Sequence, residues 1–230
     1  MGPKTMRIVS VTDLHGSVQN METLLNRAGS VDVFLFTGDL TQFGGADDAR
    51  RLLADTRARV HHVWAVAGNC DLPEVNDWLE EEGLSLHGRR EVLAGVTFLG
   101  VGKSLPCPGR TPNEISRDEV FGSVLREAAE GVEPGAPMVL VSHQPPWDTV
   151  TDRAFHGSHV GSQAIRSFIE TWKPLACFCG HIHEGQGVDR IGPTCVANPG
   201  PLREGKFVWA EIKEGHIRVE IRSVHKAAEE

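Results

Sequence analysis

The chain has no apolar stretch approaching the roughly 20 residues that a bilayer-spanning helix needs, so no membrane partner is expected. Positive charge is also short: 23 Lys and Arg against 31 Asp and Glu leave a formal net charge of −8. Broad binding to nucleic acid or anionic lipid depends on Lys and Arg neutralising phosphates, so neither is an expected partner. Any attraction for an anionic substrate must be local. Residues 1–6 are short and polar, and they run into an apolar segment without a signal-peptide apolar region. Position 6 is Met where a myristoylation signal wants Ser or Thr. The 5 cysteines, an odd number with no zinc-finger spacing, read as reduced thiols and point to a cytoplasmic protein. Tyrosine is absent while histidine occurs 11 times, a balance that alone places no metal. There is no internal repeat and no low-complexity linker, and 230 residues suit one domain, with 1–6 and 226–230 as loose termini.

What is present is a βαβ rhythm. Short runs rich in Val, Ile and Phe at 8–11, 31–36 and 63–67 alternate with helix-like stretches at 18–27, 47–57 and 73–82. Strands joined by crossover helices run parallel. The middle reads as a hairpin of 91–93 with 97–100, then a loop holding Pro106, Pro108 and Pro112. Ser116 and Glu119 have capping-box spacing and predict a helix from 116 to about 130. Strands return at 138–141 and 176–179 around a helix at 163–172, and 187–191, 194–197, 207–213 and 216–221 read as successive hairpins. Strands without intervening helices predict a second, mixed sheet packed on the first.

Chemistry-bearing residues collect where these strands end. Asp13-Leu14-His15-Gly16 follows the first strand, Gly38-Asp39 the second and Gly68-Asn69-Cys70-Asp71 the third. Ser142-His143-Gln144-Pro145-Pro146 and Gly180-His181-Ile182-His183 follow two later ones. Ligands of open α/β sheets bind at the carboxyl ends of the strands. One D-x-H triplet is weak, since a strand-ending Asp commonly caps a turn. Random turn residues, however, would rarely place Asp, His, Asp, Asn, His, His and His together at strand ends. Carboxylates, an amide oxygen and imidazoles suit intermediate divalent ions, Mn foremost, with Fe, Ni or Zn as alternatives, and disfavour an all-oxygen or all-thiolate site. Two such ions bridged by one carboxylate can share a water, lower its pKa and aim it at phosphorus. Two dications, set against Asp13, Asp39 and a bridging hydroxide, leave about one positive charge facing a phosphodiester.

In order and content these motifs resemble the calcineurin-like metallophosphoesterase superfamily, from Asp13 to His183, and Asn198-Pro199-Gly200 resembles a turn that many small members carry. The resemblance implies a four-layer α/β/β/α sandwich of two mixed sheets flanked by helices. It also implies that Asp13, His15, Asp39 and His183 hold one metal, and that Asp39, Asn69, His143 and His181 hold the other, with Asp39 bridging. The family reaction is in-line attack of a metal-bound hydroxide on a phosphoester. Most members have His after Gly-Asn, where it helps the leaving group depart; here that position is Cys70, a poor hydrogen-bond donor. Activated substrates should therefore be favoured, and small prokaryotic members with Gly-Asn-Cys-Asp look like phosphodiesterases. Asp39, Asn69, Cys70, Asp71 and His143 are the candidates for catalysis, Asp71 with an equal claim to a turn-capping role. A small or activated phosphodiester is the expected substrate; a phosphomonoesterase and a non-catalytic scaffold of the same fold are the alternatives. Gly38-Asp39 leads into Leu40-Thr41-Gln42, without the Asp-Arg-Gly of protein phosphatases.

Several residues resemble functional ones but have plainer readings. Gly102-Lys103-Ser104 ends like a phosphate-binding loop, yet the first glycine of that motif would fall on Thr97, inside a strand. The stretch 156–162 could line a pocket, or supply a helix cap from Ser158 or Ser162. His61, His62, His87, His216 and His225 are expected to be structural or exposed, and Trp147 to pack.

Overall fold

The computed structural model describes residues 5–225. Strand β1 (Met6–Val11), helix α1 (Met21–Arg27), β2 (Val33–Thr37), α2 (Ala46–Arg59), β3 (His62–Val66) and α3 (Pro73–Glu81) form the βαβ half. The second half holds β4 (Arg90–Leu93), β5 (Val96–Val101), α4 (Glu119–Ala128), β6 (Met138–Ser142), α5 (Gln163–Trp172) and β7 (Ala176–Phe178). The chain closes with β8 (Gly187–Ile191), β9 (Thr194–Asn198), β10 (Lys206–Lys213) and β11 (His216–Ser223).

Two mixed sheets result, in the orders β11-β10-β1-β2-β3 and β4-β5-β6-β7-β9-β8. The inner strands of both are buried on both faces, and alternation assigns their successive residues to one of two cores. Val33 and Leu35 face the second sheet beside Phe98, Val141 and Phe178. Phe34 and Phe36 point the other way, against Leu24 of α1, Leu53 of α2 and Trp78 of α3. On the far side Leu99, Leu140 and Cys177 pack against Phe121 and Leu125 of α4 and Ile165 and Ile169 of α5. The architecture is the expected α/β/β/α sandwich.

Four expectations need correction. The C-terminal hairpins do not stay together: β8 and β9 extend the second sheet, whereas β10 pairs antiparallel with β1 and carries β11 into the first. Helix α1 starts at Met21 and not at residue 18, because Asn20 takes a left-handed conformation that a helix cannot continue through, with its amide donating to the Leu202 carbonyl at 3.0 Å. The capping box at Ser116 does not form. Helix α4 starts at Glu119, and Asp118 turns its carboxylate to α5, accepting from the Ser162 hydroxyl and the Ala164 amide. Met6, assigned to a loose terminus, opens β1 opposite Ile212 and is buried. Of the two terminal assignments, residues 1–4 and 226–230 lie outside the described residues. Among the described residues no helix is long and apolar enough to cross a membrane.

Candidate metal centre

The parallel strands β1, β2, β3, β6 and β7 all point their carboxyl ends to one edge of the sandwich. The five motif loops leave from that edge. Asp13, His15, Asp39 and His181 each have a positive φ, between 48° and 66°, which a residue with a Cβ adopts at a cost of roughly 1–3 kcal/mol. Such strain persists only where surrounding structure imposes it, and here it turns successive side chains inward. The glycines of the motifs make room: a Cβ on Gly38 would lie 2.2 Å from His143 Nδ1, and one on Gly68 would lie 2.1 Å from Asp39 Oδ1.

Two groups of donors meet at Asp39. On one side Asp13 Oδ1 lies 3.3 Å from His183 Nε2 and 3.7 Å from His15 Nε2, and the two imidazole nitrogens are 3.2 Å apart. On the other, His143 Nε2 lies 2.9 Å from Asn69 Oδ1, and the His181 ring packs on the His143 ring at 5.1 Å between centroids. Asp39 spans them, with Oδ1 at 3.4 Å from His143 Nε2 and Oδ2 at 3.8 Å from His15 Nε2. All seven residues expected to hold metal are therefore brought to one edge of the fold.

The donors are oriented and desolvated. His143 is fully buried and engages the Thr37 carbonyl through Nδ1 at 2.8 Å, which leaves the Nε2 lone pair facing inward. Burial pushes the His143 imidazole down and takes His181 to about 3, so both remain neutral, the form that binds a metal. Burial and the neighbouring Asp13 and Asp71 carboxylates hold Asp39 well above the usual carboxylate range. For Asp13 burial also acts upward, but the His183 imidazole 3.3 Å away and the neighbouring His143 and His15 imidazoles outweigh it and hold the carboxyl low. Asp13 Oδ1 and His15 Nδ1 are buried without a hydrogen-bond partner. Buried carboxylates this close need a cation between them, so the residues fit divalent metal.

Asp71 makes the contacts of the turn-capping role that its sequence position also suited. Its carboxylate accepts from the amides of Leu40, Thr41 and Gly68 and from the Thr41 hydroxyl, tying the second loop to the third. Cys70 does reach the centre: Sγ, an Asp39 oxygen and a His15 nitrogen lie within 4.8 Å of one another. Burial and the Asp39 carboxylate push its thiol up, so without metal it stays protonated. Asn198 holds the last loop, donating to the Ile182 carbonyl at 2.8 Å.

The plainer readings meet different outcomes. Gly102 of the Gly-Lys-Ser stretch lies flush against Ala67, with no room for a Cβ beside the Ala67 carbonyl. Ser162 caps α5, accepting from the Ile165 amide at 3.0 Å, and His159 pairs with the buried Asp152 at 2.7 Å. Trp147 is 37% exposed and meets the His159 ring edge-on, so it is less packed than expected. His87 accepts from the Gly102 amide at 3.0 Å, a structural role.

Three residues near the centre are absent from the motifs. Burial lowers the His15 imidazole and the Arg203 guanidinium adds to that, while at His183 the Asp13 carboxylate raises the imidazole against burial and Arg203; the Thr111 hydroxyl, itself bound to Glu114, receives the Asn69 amide at 3.0 Å. Their segments carry no periodicity, and only the threonine–glutamate spacing at 111 and 114 hints at a local turn.

A two-sheet sandwich gathering buried carboxylates and imidazoles on one edge is a scaffold for metal binding at that edge. The calcineurin-like phosphoesterase profile matches residues 6–185, and the chain belongs to that family. An uncharacterized protein of Methanocaldococcus jannaschii is 35% identical over 202 residues, 86% of this chain and 89% of the relative. Among solved structures, the protein TT1561 of Thermus thermophilus superposes with a TM-score of 0.73 at 18% identity, covering 96% of this chain and all of the other. A dimetal phosphatase from Danio rerio superposes with a TM-score of 0.65 at 14% identity, covering 96% and 97%. Both structural likenesses concern the fold.

Proposed function

We propose that the protein is a dinuclear metal-dependent phosphodiesterase acting on a small or activated diester. The observation that carries this is the Asp39 carboxylate, whose two oxygens face different histidine groups, Oδ1 toward His143 and Oδ2 toward His15. A carboxylate so placed suits a bridge between two ions, one held by Asp13, His15 and His183 and the other by Asn69, His143 and His181. Bound divalent ions would activate water for in-line attack on phosphorus and screen the charge of the ester. The protein supplies the rest. The buried carboxylates and the neutral imidazoles of His143 and His181 would help hold the ions, and the Thr37 carbonyl keeps His143 in one tautomer.

Two features favour a diester. The two carboxylates would offset about half the charge of two dications, leaving a modest positive field suited to a monoanion. Cys70 offers only a weak S–H donor beside the centre, so departure of a strongly basic alkoxide would go unassisted. Manganese is the favoured metal on its mixed oxygen and nitrogen donors, with Fe, Ni or Zn next. A reducing compartment such as the cytoplasm suits the 5 free cysteines.

The test is metal content of the purified protein beside hydrolysis of bis(p-nitrophenyl) phosphate and p-nitrophenyl phosphate with Mn, Ni, Mg and Zn. Faster turnover of the diester with Mn supports the proposal. Faster turnover of the monoester replaces it with a phosphomonoesterase, and two bound metals without turnover of either ester leaves a scaffold.

A further inference from the structure

The geometry points to Thr111 and Glu114, in the loop between β5 and α4, as positioning residues that fix which way the Asn69 amide faces; this rests on the metal centre proposed above. Asn69 Oδ1 lies 2.9 Å from His143 Nε2. If His143 Nδ1 donates to the Thr37 carbonyl, 2.8 Å away, Nε2 carries a lone pair, and two acceptors face each other. Without a cation the amide would lower its energy by flipping and donating to Nε2. Something must hold it in the metal-ready orientation.

The Glu114 carboxylate can only accept. Its Oε1 takes the Thr111 hydroxyl proton at 2.7 Å, the Thr111 amide at 2.8 Å and the Cys107 amide at 3.3 Å. These hydrogen bonds outweigh burial and hold the Glu114 carboxyl at about 2, ionised at any working pH. With its proton committed to Glu114, the Thr111 oxygen presents lone pairs to Asn69, and Nδ2 donates to it at 3.0 Å. A flipped amide would put an oxygen against that oxygen. The backbone is fixed from the same turn: Asn113 Nδ2 donates to the Gly68 carbonyl at 3.0 Å, and its amide donates to the Asn69 carbonyl at 3.2 Å. Thr-Pro-Asn-Glu at 111–114 thus clamps the Gly68-Asn69 loop and leaves side-chain rotation of Asn69 as the freedom for Thr111 to remove.

The test is titration of the metal-free full chain with Mn by calorimetry, comparing wild type with Thr111→Val, Thr111→Ser and Asn69→Ala. Wild type should bind two equivalents. Thr111→Val, which keeps the shape and loses the acceptor, should weaken one equivalent by roughly 10–100-fold, the usual cost of losing an orienting partner. Asn69→Ala should weaken the same equivalent, and Thr111→Ser should restore it. A merely structural role would lower the melting temperature and weaken both equivalents together, without rescue by serine. Glu114→Gln, which lets Thr111 turn its proton toward Asn69, should weaken that equivalent by a smaller factor and serves if the valine variant does not fold. Unchanged binding in Thr111→Val, or in Glu114→Gln when that is the variant that folds, overturns the clamp. So does a serine variant as weak as the valine one. Fewer than two equivalents in wild type overturns the metal centre itself, and the clamp with it.

Discussion

Cys70 sits beside Asp39 and His15, its Sγ within 4.8 Å of a carboxylate oxygen of one and a ring nitrogen of the other. A thiol donates weakly, so the Cys70→His variant should raise turnover of diesters with poor leaving groups and change activated ones little. A leaving-group series on both proteins reads this, and parallel lines would argue against any acid role at the position. Arg203 was not legible in the sequence, because nothing in its local pattern sets it apart; its charge matters only once the turn after β9 brings it beside His15 and His183. Arg203→Ala should raise KM on the order of tenfold, the worth of one charge-assisted hydrogen bond, with kcat nearly unchanged. That the seven candidate metal-binding residues gather at one edge was legible for a physical reason. Each follows an apolar run that is unmistakable as a buried strand, so the strand ends fixed their common edge before any distance was known. Asp71 shows the limit: its position left a catalytic and a turn-capping role equally open, and only the fold shows its oxygens accepting from loop amides.

Among the elements, strands were easier to read than helix ends. Sheets covered on both faces need apolar residues at every position, and such runs are conspicuous. Helix starts depend on partners far along the chain, as Asn20 does on Leu202 and Asp118 on Ser162. The two serines separate these cases. Ser162→Ala should cost about 1 kcal/mol in urea denaturation, since it removes the N-cap of α5, whereas Ser116→Ala should cost close to nothing because its capping box is not made. Equal losses in both would mean that α4 starts where the sequence pattern predicted. The exchange of the last hairpins between sheets was not legible, because successive strands joined by short turns read alike in sequence and only pairing with β7 or β1 tells them apart.

At the scale of the whole molecule, burial of neutral histidines ties stability to pH. His87 is held down to about 4 by burial, with Lys103 adding to the effect, while in the unfolded chain it titrates near 6.5. Between these values the unfolded state binds more protons, so this contribution is present above pH 6.5 and is lost as pH falls toward 4. His87→Gln, which keeps an acceptor for the Gly102 amide, should flatten the metal-free protein's loss of stability over that window; an unchanged slope would mean that His87 is already exposed to protonation. The sandwich brings together loops from both sheets, and the two Asp39 oxygens face the two donor groups. The most direct measurement is therefore metal equivalents bound and diester turnover in Asp39→Ala beside wild type. Loss of both metals together with turnover is the predicted result, and a variant that keeps full metal content and full activity would contradict the bridge on which the account rests.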